Sequence, residues 1–223
     1  MRVVAPGAGE LVGERPGRRV EILSDRDPVH VTLARLGPGE EGADLHVHQR
    51  HSDLFYVLEG ELTVRLGVED QQVVVPAGSL ARVPPRVVHG FRNASDADLR
   101  YLNLHAPGSG FADYMRALRD GRTLTYDQHD PPAEGARPIS DAVVESGNAI
   151  GDGVELLTDI EAIRVTRVRG KSERRTFQQH VSYFVLEGEL ALDDLSITAG
   201  SWVEVPPGLE HAVEGVYLTA SAG

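Results

Sequence analysis

Cysteine is absent from the 223 residues, which excludes disulfides and thiolate chemistry and leaves nothing that reports an oxidising compartment. Basic side chains are scarce: Lys and Arg number 22 against 34 Asp and Glu, a formal net charge of -12. That field repels phosphate backbones and anionic lipid surfaces, so neither nucleic acid nor a membrane is an expected partner. No apolar run approaches membrane-spanning length, and the opening MRVVAPGAGELVGERPGR lacks the apolar stretch of a signal peptide. A soluble cytoplasmic protein is the expectation.

What the chain does have is a phrase written twice. FYVLEGELTV, from Phe55 to Val64, returns as YFVLEGELAL from Tyr183 to Leu192. The likeness extends outward: VEILSDRDPVHVT from Val20 aligns with VELLTDIEAIRVT from Val154, and Gly78, Pro84 and His89 align with Gly200, Pro206 and His211. The second copy is the shorter, and losses confined to connections between matching strands are the mark of a duplicated domain. Each half, at roughly 100 residues, is long enough to bury its own core.

Short β-rich segments punctuated by Gly and Pro fill the first half: Arg19–Ser24, Val29–Leu36, Leu54–Leu58, Leu62–Leu66, Gln72–Val75, Leu80–Val83, Val87–Arg92 and Leu99–His105. This is the pattern of an antiparallel sandwich or barrel. A helix is expected from about Phe111 to Leu118, where Phe111, Tyr114, Met115 and Leu118 recur at helical spacing before Gly121. Beyond it, Pro131, Pro132, Gly135 and Pro138 argue against regular structure. The expected organisation is therefore a first domain over 1–120, a linker over 121–141 and a second domain over 142–223. Asp127, His129 and Asp130 read as solvated linker residues with no role.

Chemistry concentrates in HVHQRHSD, His46 to Asp53, and in His89. Side chains alternate along a strand, so His46 and His48 share one side of an extended chain and can reach one ion. Asp53 opens the next strand and His89 comes from a third. Three imidazoles and a carboxylate suit a divalent first-row metal with positions left for water or substrate.

These residues resemble the two sequence motifs of the cupin superfamily. Gly39, His46, His48, Asp53 and Gly60 fall on the first motif; Gly78, Pro84, His89 and Asn93 fall on the second. Two residues depart from it, Asp53 where the family usually has glutamate and Arg86 where it usually has glycine. The resemblance implies an all-β chain of two tandem jelly-roll barrels, with His46, His48, Asp53 and His89 around one divalent transition metal (Fe, Mn, Ni, Co or Zn) in the first barrel. The shorter Asp53 leaves His51 as an alternative fourth ligand. In the second copy Arg174, Thr176 and Val181 stand at the positions of His46, His48 and Asp53, and of the set only His211 remains. His180, beside Val181, is a weak substitute. The second barrel reads as a degenerate cupin that keeps Gly188, Gly200, Pro206 and Gly208; its ordinary role is packing, and its alternative role is binding an anion near Arg174.

Strand parity makes Phe55, Val57 and Phe91 apolar walls of the first site. Tyr101, Asn103 and His105 share one face of a later strand, which points into the cavity or toward an interface. Arg82 and Arg86 flank the second motif, either to hold an acidic substrate or simply in solvent. The resemblance to quercetin dioxygenase-like bicupins implies an oxygenase acting on a small phenolic or enolizable substrate, with Asp53 as ligand and general base. The alternatives are an oxygen-independent isomerase, decarboxylase or hydrolase of a small polar acid, and a non-catalytic metal-dependent binding protein. A homodimer is an assembly that an uncovered edge strand allows.

Overall fold

The computed structural model describes residues 1–131, 136–145, 152–160 and 162–222. Pro132 and Gly135 of the expected linker lie outside the described residues. In chain order the elements of the first part are β1 (Arg2–Val4), β2 (Glu10–Arg15), β3 (Arg18–Asp25), β4 (His30–Leu36), β5 (Glu41–His46), β6 (Ser52–Glu59), β7 (Glu61–Leu66), β8 (Gln71–Pro76) and β9 (Leu80–Val83). They continue with β10 (His89–Arg92), β11 (Leu99–Ala106), α1 (Phe111–Arg119), a 3-10 turn (Ile139–Asp141) and β12 (Val143–Glu145). The last part holds β13 (Gly153–Ile160), β14 (Ile163–Lys171), β15 (Val181–Leu192), β16 (Leu195–Thr198), β17 (Trp202–Val205) and β18 (Val213–Ala222). The chain is all-β, with α1 the one α-helix among the described residues, and it forms two jelly-roll barrels.

The chain divides into two compact units, Glu10–Asn148 and Met1–Gly9 with Ala149–Gly223. In the first unit a seven-stranded sheet ordered β12-β9-β6-β11-β4-β3-β2 and a four-stranded sheet ordered β5-β10-β7-β8 are antiparallel throughout. Their inner faces bury one core that includes Phe55, Val57, Leu62, Val64, Phe91, Leu99 and Tyr101. Each such side chain contributes about 1.5–3 kcal/mol when removed from water. Central strand β6 is apolar on both faces because both are covered, with Leu54 and Tyr56 as buried as Phe55 and Val57. Asn93 of the second motif is structural: its amide donates to the carbonyls of Leu36, Gly37 and Ala97 and accepts from Ser95, tying the β10–β11 turn to the end of β4.

The helix forms where its spacing predicts, but the face it buries is Ala112 and Ala117, while Leu118 is 52% exposed. Charge sets that orientation: Arg116 is held by Glu10 at 2.6 Å and Asp25 at 2.7 Å. Phe111 is thereby laid on the rings of His105, at 3.9 Å between centroids, and His30, at 5.3 Å.

The second unit is built on one sheet ordered β1-β17-β15-β18-β14-β13, with β16 paired to β15. Its first strand is the chain's own beginning: Arg2, Val3 and Val4 pair with Glu204, Val203 and Trp202. The amino-terminal residues therefore belong to the carboxy-terminal unit, not to the 1–120 domain that the repeat suggests. Val181, Tyr183, Val185, Leu190, Val203 and Tyr217 form its core. Among the described residues no helix is long and apolar enough to cross a membrane.

Candidate metal centre

Both sheets of the first barrel contribute to one cluster. In the four-stranded sheet the last residue of β5 and the first of β10 are direct partners, which sets His46 opposite His89. The strands come this close because Gly90 follows His89; a Cβ there would lie 2.7 Å from the carbonyl oxygen of Ala43. In the seven-stranded sheet Asp53 of β6 sits between Val83 of β9 and His105 of β11. His48 lies just beyond β5, and its carbonyl accepts from the amide of Arg86 at 2.6 Å. Arg86 reaches that position with φ +70, a left-handed conformation that costs a side-chain-bearing residue about 1–2 kcal/mol. This explains why glycine is the usual residue there, and it gives Arg86 a backbone role.

His46, His48, Asp53 and His89 are all buried, and one donor atom from each lies within 4.8 Å of the others. Their protonation follows from their other contacts. Nδ1 of His46 is 2.7 Å from the carbonyl of Asp44, Nδ1 of His89 is 2.9 Å from that of Val87, and Nδ1 of His48 meets the carbonyl of Asp127. A carbonyl can only accept, so each Nδ1 carries a hydrogen and each ring turns its Nε2 inward, the atom that could serve as a metal donor. Burial, with His89 and His48 alongside, pushes the His46 imidazole down to about 3, so it is neutral at pH 7.

Nε2 of His46 faces Nε2 of His48 at 3.1 Å, and Oδ2 of Asp53 lies 3.4 Å from Nε2 of both His48 and His89. Three ring nitrogens and a carboxylate gathered this closely could share one cation. The spacings suit one: donors about 2.1 Å from a common centre, set at roughly 90–110° to one another, are about 3.0–3.4 Å apart. The donor set thus fits a divalent transition metal, which His46, His48, Asp53 and His89 could hold.

Asp53 is 2% exposed. Burial alone would raise its pKa, but His105 and His48 beside it hold the carboxyl well below the usual range. His105 Nε2 stands 2.9 Å from Oδ1, off the hydrogen-bond direction, so that oxygen has a close neighbour but no well-directed hydrogen bond. Burial, opposed by Asp53, lowers the pKa of His105 itself. His51, Asp53 and His105 also converge. In that group, however, Nδ1 of His51 donates to Oδ2 of Asp127 at 3.0 Å and its Nε2 accepts from the Tyr126 hydroxyl at 2.7 Å. With its lone pair occupied, His51 belongs to the surround rather than the donor set, and of the two alternatives for the fourth donor the geometry favours Asp53.

Tyr126 and Asp127 were not legible as site residues, and they correct the reading of this stretch as solvated linker. Both are buried. The Asp127 carboxylate accepts from the amides of Gln49 and Arg50 at 3.1 and 2.9 Å, from His51, and from His129 at 3.1 Å. His129 and Val47 exchange two backbone hydrogen bonds of 3.0 Å, so the segment clamps the residue between His46 and His48. Asp130 is exposed, as expected. The one available signal was the pairing of an aromatic and an acid, Tyr126–Asp127, ahead of the prolines.

Phe55, Val57, Phe91 and Tyr101 lie on the inner face and pack together, with Phe55 5.0 Å from Phe91 and 6.1 Å from Tyr101 between ring centroids. The undecided face of β11 points inward: Tyr101, Asn103 and His105 stand opposite Val57, Phe55 and Asp53. His105 joins the surround of Asp53, and the Asn103 amide donates to the Leu54 carbonyl at 3.4 Å. Arg82 lines a different cavity, of about 370 Å³, with Val64, Leu66, Ile139 and Val144.

In the second barrel the surviving imidazole is closed off. Nδ1 of His211 donates to the Leu209 carbonyl at 3.0 Å, and its Nε2 accepts from the Tyr183 hydroxyl at 2.6 Å. Tyr183 occupies the place of Phe55 in the repeat, so a single added hydroxyl occupies the remaining lone pair of His211.

Residues 32–105, which include every donor of the cluster and His105, match the Cupin_2 family model, described as a cupin domain. Quercetin 2,3-dioxygenase of Bacillus subtilis (strain 168) is 26% identical over 150 residues, 66% of this chain and 42% of that protein. The chain therefore spans less than half the length of that relative. Among solved structures, protein Ylba from E. coli superposes with a TM-score of 0.70 at 15% identity, covering 99% of this chain and 90% of that one. Bacterial pirin YhhW from Escherichia coli, in complex with nickel(II), gives 0.70 at 11% identity over 99% and 97% of the two chains. A variant of oxalate decarboxylase from B. subtilis gives 0.64 at 16% identity over 99% and 77%. At these identities the solved structures speak to fold alone.

Proposed function

From the cupin-domain match of residues 32–105 we propose that the chain is a cupin and a metal-dependent dioxygenase acting on a small phenolic or enolizable substrate, with one ion held by the amino-terminal barrel. The observation that carries this reading is the cluster of three inward Nε2 atoms and one buried carboxylate, with no Lys or Arg among the described residues in ion-pair contact with Asp53. The likeness to a quercetin 2,3-dioxygenase points the reading toward oxygen chemistry.

A divalent cation bound there supplies Lewis acidity, lowering the pKa of an enol or phenol oxygen. This chain's residues do the rest. The backbone carbonyls of Asp44, Val87 and Asp127 fix the tautomers of the three imidazoles. Asp53 takes the substrate's hydroxyl proton, which even a carboxylate of depressed pKa accomplishes once the hydroxyl has been made acidic. His105 at 2.9 Å steadies the carboxylate while it does so. Phe55, Val57 and Phe91 provide apolar walls that keep bulk water from the reacting centre.

Oxygen uptake tests the proposal. Chain loaded in turn with Fe(II), Mn(II), Ni(II), Co(II) and Zn(II) is offered flavonols, catechols and diketones. Uptake matched by a cleaved product with at least one pairing is expected. Turnover that continues without oxygen would overturn the proposal in favour of an isomerase, decarboxylase or hydrolase, and saturable binding without product would overturn it in favour of a binding protein.

A further inference from the structure

The second barrel has lost its donor set, and a cavity of about 750 Å³ opens on its inner face. Register shows how the space arose. Where β6 and β11 of the first barrel set Asp53 opposite His105, β15 and β18 set Val181 opposite Ser221. Thr176 and Arg174 stand where the repeat has His48 and His46. Smaller side chains have replaced a packed layer of imidazoles, and guanidinium groups have entered its rim.

The cavity wall carries four cationic side chains, Arg164, Lys171, Arg174 and Arg175, against two carboxylates, Asp159 and Glu173. Three of the cations have carboxylate partners: Arg164 with Asp159 at 3.8 Å, Lys171 with Glu214 at 3.8 Å, and Arg174 with Asp193 at 2.6 Å and Glu210 at 4.0 Å. Among the described residues Arg175 has none. Its guanidinium stands 5.0 Å from the centre of the Phe177 ring. It also acts inward: burial raises the pKa of the Tyr217 hydroxyl, and the Arg175 charge opposes that rise. Opposite lie the hydroxyls of Thr166 and Thr219, 2.6 Å apart on neighbouring strands.

We propose that this cavity binds a small aromatic carboxylate without a metal, its carboxylate on the Arg175 guanidinium and its flat body against Phe177 and Tyr217. A guanidinium fork matches a carboxylate in two parallel hydrogen bonds. One unpaired cation matches a monoanion, whereas a phosphate dianion would meet the chain's overall charge of -12 with a single neutralising group. The site is independent of the metal centre.

Calorimetric titration of the full-length, metal-loaded chain with benzoate tests this, with benzamide as the neutral isostere and inorganic phosphate as the alternative anion. One benzoate per chain is expected, at a dissociation constant on the order of millimolar or tighter. Benzamide and the Arg175→Gln variant should each bind about tenfold more weakly or worse. Metal content should be unchanged in Arg175→Gln, and benzoate affinity unchanged in His48→Ala. Trp202, the chain's one tryptophan and buried in this barrel, reports by its emission that the variant is folded. Should Arg175→Gln unfold, Arg175→Lys, which keeps the charge and loses the fork, must show the weakening instead. Equal binding of benzoate and benzamide, phosphate binding tighter than benzoate, absence of saturable benzoate binding, or its loss in His48→Ala would each overturn the proposal.

Discussion

Asp127→Ala separates the structure from the reading of residues 121–141 as solvated chain. The carboxylate holds four donors, two of them backbone amides of the loop between His48 and His51. His51 is fully buried, so its stranded Nδ1–H bears a desolvation cost of about 1–3 kcal/mol. Gln49, Arg50 and His129 are exposed and can exchange their lost bonds for water, at about 0.5 kcal/mol each. The sum is a loss of about 3 kcal/mol in denaturant unfolding of the metal-free chain. No donor atom is removed, yet the segment that positions His48 is loosened, and such outer groups typically change metal affinity about 10–100-fold. Competition with a chromophoric chelator measures that change. Asp130→Ala, three residues on and exposed, should stay within about 0.5 kcal/mol of wild type. If Asp127→Ala behaves like Asp130→Ala in both assays, the clamp does not exist.

Acid should destabilise the metal-free chain early. Asp127 has its carboxyl pKa lowered in the fold, burial being outweighed by hydrogen bonds from Arg50, Gln49, His51 and His129, and Asp53 is lowered too, burial being outweighed by His105 and His48. The unfolded chain takes up these protons first, so their stabilisation is complete above about pH 4 and is lost as pH falls through the lower native values; a flat stability profile between pH 5 and 2 would contradict it. His105→Ala removes the 2.9 Å neighbour of Asp53 and a fully buried ring, and should lower both stability, by about 2–4 kcal/mol, and metal affinity, by about tenfold or more. A fall in stability with unchanged affinity would show that His105 is only packing. Tyr183→Phe restores the residue type of the first barrel and strands Nε2 of His211, so melting should register a loss of about 1–3 kcal/mol while metal content stays the same.

The strands and the donors were readable because both obey a period. VLEGEL marks a strand in each copy, broken at Gly60 in the first and running on through Gly188 within β15 in the second, and the two-residue step from His46 to His48 places both on one side of an extended chain. Parity could not say which side of β11 faces inward, since Tyr101, Asn103 and His105 alternate with Arg100, Leu102 and Leu104 on either assumption. The helix spacing was visible, but its orientation was decided by Arg116 reaching Glu10 and Asp25, contacts distant in sequence. Asp127 bonds residues 76 to 78 positions earlier, and no local pattern announces such a return of the chain. For the same reason the strand Arg2–Val4 could not be assigned to the carboxy-terminal sheet it joins.

The central claim is that His46, His48, Asp53 and His89 form one metal site. Its most direct test is elemental analysis of the wild-type chain and His48→Ala after loading with a divalent transition metal and removal of the excess. About one ion per wild-type chain, and almost none in a His48→Ala chain of unchanged circular dichroism, is the predicted result. Equal stoichiometry in the two proteins would contradict the account.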